Sequence, residues 1–142
     1  MLRFIQDKKE YRIRKVRPGD KKFLFNLYNK NIEEKNFFKT KKIGFEDHNE
    51  WFSKKVPGRN IYIILSKIKI GYIRLEKEKK NFYISIAIKK NFQNKKIAKK
   101  SLMSIINNHY NKNDIFIADI KKKNLKSKKF FLSCGFKKKG KK

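Results

Sequence analysis

Apolar and polar residues alternate along Tyr11-Arg12-Ile13-Arg14-Lys15-Val16, and this period of two predicts a half-buried strand over 11–16, closed by Pro18-Gly19. The period then changes. Asp20 suits a helix N-cap, and Phe23, Leu24, Leu27 and Tyr28 recur at helical spacing. Residues 29–44 are polar and read as a loop or short helices. Over 44–56, Phe45, His48, Trp51 and Phe52 fall on one side of a second helix, which Pro57-Gly58 ends.

Three runs rich in Ile, Tyr and Phe follow, at 60–66, 69–76 and 81–89, joined by short basic turns that predict antiparallel strands. Ile97, Leu102, Ile105 and Ile106 mark the apolar side of the next helix. Residues 114–120 read as a buried strand, and Asn124 to Ser133 as a last helix with Gly135 as its stop. Phe136 opens a final short segment. The predicted order is β-α-α-β-β-β-α-β-α-β. It describes an α+β fold, a mixed and mostly antiparallel central sheet with helices on both faces. The expected organisation is a single domain over 1–136 with a lysine-rich, solvated tail over 137–142.

Charge changes this picture less than its size suggests. Lys and Arg total 41 of 142 residues against 12 Asp and Glu, a formal net charge of +29. Such an excess points to polyanions in general. Here, however, the abundant residues (Lys, Asn, Ile, Phe, Tyr) share A- and T-rich codons. Lys also far outnumbers Arg, the better residue for bidentate phosphate and base contacts. A nucleic-acid function therefore does not follow from charge alone. The single Cys134 excludes an internal disulfide framework, offers no metal-ligand spacing and fits a reducing cytosol. No apolar run approaches the roughly 20 residues that span a bilayer, and the N-terminus lacks a signal-peptide core. The expectation is a cytoplasmic protein with no membrane insertion and no bound metal.

One junction carries chemistry. In "KKNFQNKKIAKKSL", residues 89–102, a strand runs straight into an amphipathic helix through a basic turn. Helix N-termini hold anions through unpaired N–H groups and the macrodipole. A binding arm for nucleic acid needs neither the strand before it nor the helix behind it.

The order of elements and these residues together resemble the GCN5-related N-acetyltransferases (GNAT family) over nearly the whole chain. In that family the strand leads into a turn of pattern Arg/Gln-x-x-Gly-x-Gly/Ala, matched here by Gln93, Asn94, Lys95, Lys96, Ile97 and Ala98. Lys96 stands where the family has its central glycine. A residue in the first turn of a helix needs no positive φ, so the expectation is an ordinary helical lysine whose ammonium, with Lys95 and Lys99, adds charge. The closing pattern matches as well, through Ala118, Ile120, Asn124, Ser127, Phe131, Gly135 and Phe136.

The resemblance implies acetyl-CoA as co-substrate, with Ile86, Ala87, Ile88, the 93–99 turn, Asn124 and Phe131 around it. It also implies direct transfer of acetyl to a primary amine, with a backbone N–H near Ile88 donating to the oxyanion. "FEDHNEWFSKKV", "IGYIRLE" and Asn29 further resemble acetyltransferases of nucleotide-linked amino sugars in pseudaminic- and legionaminic-type pathways. That implies a sugar nucleotide met by Asn29, Glu50, Trp51 and Arg74. Acetyltransferases of ribosomal-protein N-termini share the layout and stand as the alternative, beside a basic nucleic-acid module that has lost catalysis. For the proton steps, His48 is the candidate base, because histidine titrates near neutrality. Phe131 occupies the usual place of an acid tyrosine, which leaves Tyr83 as the substitute.

Overall fold

A computed structural model of the chain describes residues 1–33, 60–93, 96–120 and 122–138. The helix expected over 44–56 lies outside these residues. Among them, six strands form one sheet in chain order: β1 (Leu2–Gln6), β2 (Lys9–Lys15), β3 (Asn60–Leu65), β4 (Lys69–Glu78), β5 (Asn81–Ile88) and β6 (Ile115–Ile117). Neighbours are antiparallel except β5 and β6, which run parallel. A parallel pair needs a crossover, and α2 (Ile97–His109) supplies it. The other helices are α1 (Lys21–Glu33) and α3 (Leu125–Ser133).

The first strand is a departure from the sequence reading, whose first strand is 11–16. Leu2–Gln6 pairs with Lys9–Lys15 through Asp7 and Lys8, both at positive φ (53° and 65°). Mirror-image hairpin turns demand that conformation and normally take Asn or Gly. Asp-Lys carries no such mark, so the hairpin was illegible from its turn. Its cross-strand chemistry holds it instead: Phe4 pairs with Tyr11, and their rings stack 5.3 Å apart. At the other end, residues 136–138 lie outside any strand, and β6 is shorter than the 114–120 run.

Strand alternation sorts the sheet into two cores. Ile61, Ile63, Tyr72 and Ala87 meet Leu24 and Leu27 of α1 on one face. Tyr62, Ile64, Ile73, Leu75, Ile84 and Ile88 meet Ile97, Leu102 and Ile105 of α2 on the other, with Phe130 and Phe131 of α3 packed alongside. Each fully buried Ile or Leu contributes roughly 1.5–3 kcal/mol of transfer free energy. The β4–β5 seam is tight: a Cβ on Gly71 would sit 2.6 Å from the Ala87 carbonyl oxygen and 2.5 Å from Ile88 Cδ1.

Asp20 immediately precedes α1, but its side chain turns back rather than capping that helix. It closes a short 3-10 turn over Pro18–Asp20, accepting the Arg17 amide at 2.7 Å. The carboxylate is buried and takes Arg14 in two bonds of 2.8 and 3.0 Å and Lys69 at 2.7 Å. Burial alone would raise its pKa. The Arg14 and Lys69 side chains and the Arg17 amide outweigh that and hold it at about 2. The network joins β2, the entry to α1 and the start of β4.

Candidate active site

The pairing of β5 with β6 covers only Asn81–Tyr83 against Ile115–Ile117. Beyond Tyr83 the ladder between the two parallel strands ends. The β4–β5 register decides what the gap exposes. The Lys89 amide donates to the Ile70 carbonyl at 2.8 Å, and residues 89 and 70 continue the register in which Ala87 faces Tyr72 and Ser85 faces Arg74. In an antiparallel ladder, hydrogen-bonded and outward-pointing residues alternate. Ala87, Ser85 and Tyr83 thus bond to β4, while the amides of Ile84, Ile86 and Ile88 point into the gap. The Ile88 carbonyl confirms this direction, since it accepts Gln93 Nε2 from the gap side at 2.8 Å.

A cavity of about 940 Å³ fills the gap and passes through it to the α1 face. Its two ends differ. Toward α2 and α3 the walls are Ile84, Ile86, Ile88, Phe130 and Phe131, and the cations Lys96, Lys99, Lys126 and Lys129 stand at the rim. Toward α1 the walls are Tyr28, Arg74, Glu76, Glu78, Tyr83 and Ser85, with Arg74 Nη2 donating to Ser85 Oγ at 3.3 Å.

The turn that opens α2 corrects one expectation. Lys96 is the N-cap of α2 at φ 64°, ψ 7°, in the left-handed region. It is not an ordinary helical residue. A side chain there costs about 1 kcal/mol or more from crowding of Cβ against the following carbonyl, a cost glycine does not bear. The departure from glycine therefore keeps the backbone shape and adds strain. Gln93 holds the same turn from both sides, donating to Ile88 and accepting Lys126 Nζ at 2.7 Å. Asn124 caps α3 as expected, its Oδ1 accepting the Ser127 amide at 3.1 Å. Gly135 ends the helix at φ 92°.

Of the residues singled out in the sequence, the cavity gathers Tyr83, Ile86, Ile88, Gln93, Lys96, Ile97, Ala98, Lys99, Asn124, Phe131 and Arg74. Ala87 is not among them: its side chain is 1% exposed in the α1-side core, because it faces opposite to Ile86 and Ile88. Asn29 does not line the cavity, whereas Tyr28, one helical position earlier, does. His48, Glu50, Trp51, Asn94 and Lys95 lie outside the described residues. The sequence reading missed Tyr28, Glu76 and Glu78. The alternation Ile73-Arg74-Leu75-Glu76 carried a signal for Glu76, since it sets that carboxylate on the face of Arg74 and opposite the buried Leu75.

The apolar walls, the outward amides of β5 and the cationic rim around a helix start fit the parts of a coenzyme A thioester: an amide-bearing arm beside a strand edge and phosphates at the N–H groups of α2. A sheet split at one parallel pair, with such a turn behind it, defines an acyl-CoA-binding transferase. The family model described as acetyltransferase (GNAT) domain matches residues 11–137. The chain belongs to the GNAT acetyltransferases, and it is an acetyl-CoA-dependent N-acetyltransferase.

A domain from Methanocaldococcus jannaschii is similar at 26% identity and TM-score 0.77, the match covering 94% of this chain and 92% of that one. Spermidine N-acetyltransferase from Vibrio cholerae, solved with CoA and spermine, is 19% identical at TM-score 0.71, covering 92% and 82%. The microcin C7 self immunity acetyltransferase MccE, solved with acetyl-CoA and AMP, is 21% identical at TM-score 0.68, covering 89% and 78%. A search of curated proteins finds no match. No helix among the described residues is long and apolar enough to cross a membrane.

Proposed function

We propose that the acceptor is a nucleotide-linked amino sugar, acetylated on its primary amine in the α1-side end of the cavity. The observation that carries this reading is Arg74. Its guanidinium stands on the acceptor side of the gap, half-buried and hydrogen-bonded to Ser85, where it suits the phosphate of a nucleotide. The resemblance of "FEDHNEWFSKKV" and "IGYIRLE" to amino-sugar acetyltransferases agrees with it.

On this reading Gln93, Lys96, Ile97, Ala98 and Lys99 hold the pyrophosphate, with Asn124 and Phe131 bordering the arm below it. Acetyl-CoA supplies the activated acetyl group. The amides of Ile86 and Ile88 point to where the thioester carbonyl oxygen gathers negative charge, and such donors lower the barrier because they are already oriented. Tyr83 donates a proton to the departing sulfur, in place of the tyrosine that Phe131 replaces. A second reading, a di- or polyamine acceptor, is favoured by Glu76 and Glu78, which set two carboxylates beside the same chamber.

The experiment is acetyl transfer followed by mass spectrometry with three probes: a UDP-linked amino sugar, spermine and an alanine-terminated peptide. The amino sugar should react with the highest kcat/KM. Preference for spermine would sink the sugar reading in favour of the second one, and preference for the peptide would move the assignment to protein N-termini.

A further inference from the structure

We infer that Glu76 is the catalytic base that takes the proton from the attacking amine. The inference rests on acetyl transfer to a primary amine, and it names a residue outside the motif turn and the sequence candidates.

Three observations converge on Glu76. It is the direct cross-strand partner of Tyr83, and Tyr83 is also the last β5 residue paired with β6, opposite Ile117. Glu76 therefore stands beside the apex of the gap, on the α1 face, where a thioester lying along Ile84–Ile88 would have its far end. Its burial is intermediate, and it lines the cavity. By contrast, Glu78 is exposed at the β4–β5 turn, paired with Asn81, and Asp119 is exposed on the other side of the gap. Among the described residues, the charged and titratable groups that share Glu76's end of the cavity are Arg74 and Glu78 on β4, Tyr83 on β5 and Tyr28 on α1. Arg74 stands two residues before Glu76 on the same face of β4.

The chemistry balances on these groups. An amine reaches the cavity as an ammonium without a lone pair. Glu76 accepts one N–H proton, and the freed lone pair forms the C–N bond to the acetyl carbon. The C–S bond breaks with its electrons on sulfur. The surplus proton on the new amide nitrogen neutralises the thiolate through the Tyr83 hydroxyl, and Glu76 returns its proton to solvent. The net products are the amide, the free thiol and one proton.

The test is Glu76→Gln, which keeps shape and removes basicity, with Glu76→Asp as a second variant. Acetyl-CoA affinity is read by calorimetry, and kcat is read with spermine, a UDP-linked amino sugar and hydroxylamine, whose nitrogen is already neutral at pH 7. Glu76→Gln should bind acetyl-CoA as the wild type does. It should lose ~10²–10⁴-fold in kcat with the strongly basic amine, the usual contribution of a general base. It should stay within a few-fold of wild type with hydroxylamine, which needs no proton removed before attack, and Glu76→Asp should retain part of the activity. A kcat within a few-fold of wild type on the basic amine overturns the inference. So does an equal loss with hydroxylamine, which marks a positioning role. A wild type that binds acetyl-CoA but acetylates none of the three amines also overturns it. Failure to bind acetyl-CoA at all would instead bring down the acetyl-transfer reading beneath it.

Discussion

The ammonium of Lys126 on α3 donates to Gln93 Oε1 at 2.7 Å, while the amide of the same Gln93 donates to the Ile88 carbonyl at 2.8 Å. One side chain thus ties the end of β5 to α3 across the mouth of the cavity. Removing it by Gln93→Ala leaves the Ile88 carbonyl without that donor and frees Lys126, at a cost of about 1–3 kcal/mol for the orphaned group. Acetyl-CoA affinity, measured by calorimetry, should fall together with thermal stability. An unchanged affinity would show that the turn is held by the backbone alone.

Lys96 offers a test of strain against charge. Lys96→Gly and Lys96→Ala both delete the ammonium, but only glycine is at ease at φ 64°. The glycine variant should exceed the alanine variant by about 1 kcal/mol in urea unfolding. Lys96→Glu keeps a side chain and reverses its charge, so acetyl-CoA binding at low salt should weaken by ~1–3 kcal/mol, the scale of a charge-assisted contact. Equal stability of the glycine and alanine variants would argue against the left-handed turn.

Gly71→Ala should destabilise the protein by about 1–3 kcal/mol, the usual cost of overpacking. The added Cβ meets the Ala87 carbonyl oxygen at 2.6 Å, a backbone atom that cannot rotate away, besides Ile88 Cδ1 at 2.5 Å. Because Ile88 also lines the cavity, acetyl-CoA affinity should drop in the same variant. Chemical denaturation and calorimetry on one preparation read both.

Asp20 predicts the acid behaviour. Its folded pKa of about 2 lies below its ordinary value of 3.8, so its carboxylate stabilises the fold at any pH above the ordinary value. That contribution fades as pH falls from about 4 through 2, by ~2 kcal/mol in all. Asp20→Asn should lose several kcal/mol at pH 7, because Arg14 is left half-buried without its partner. The variant should lose less further stability than wild type between pH 4 and 2. Parallel pH curves for the two proteins would show that Asp20 does not titrate with folding.

What the sequence determined by itself was the local script. Alternation marked β2, runs rich in Ile, Tyr and Phe between short turns marked β3 to β5, helical spacing marked α1 and α2, and Asn124 and Gly135 bounded α3, because each of these depends on residues a few positions apart. The spacing from Gln93 to Phe136 also carried the family and its co-substrate. Only the tertiary structure decided the rest. The hairpin of β1 forms through Phe4 on Tyr11 rather than through its turn. Lys96 takes the left-handed region at the start of α2, whose Ile97, Leu102 and Ile105 pack into the same core as Ile84 and Ile88 of β5. Ala87 faces α1 while Ile86 and Ile88 face α2, and the register with β4 turns the amides of Ile86 and Ile88 into the gap. Glu76 reaches the apex of the cavity for the same reason: its place is set by pairing with Tyr83 and by where β6 stops. That distance along the chain gives one carboxylate among 12 acidic residues a role that no motif of neighbouring residues could mark.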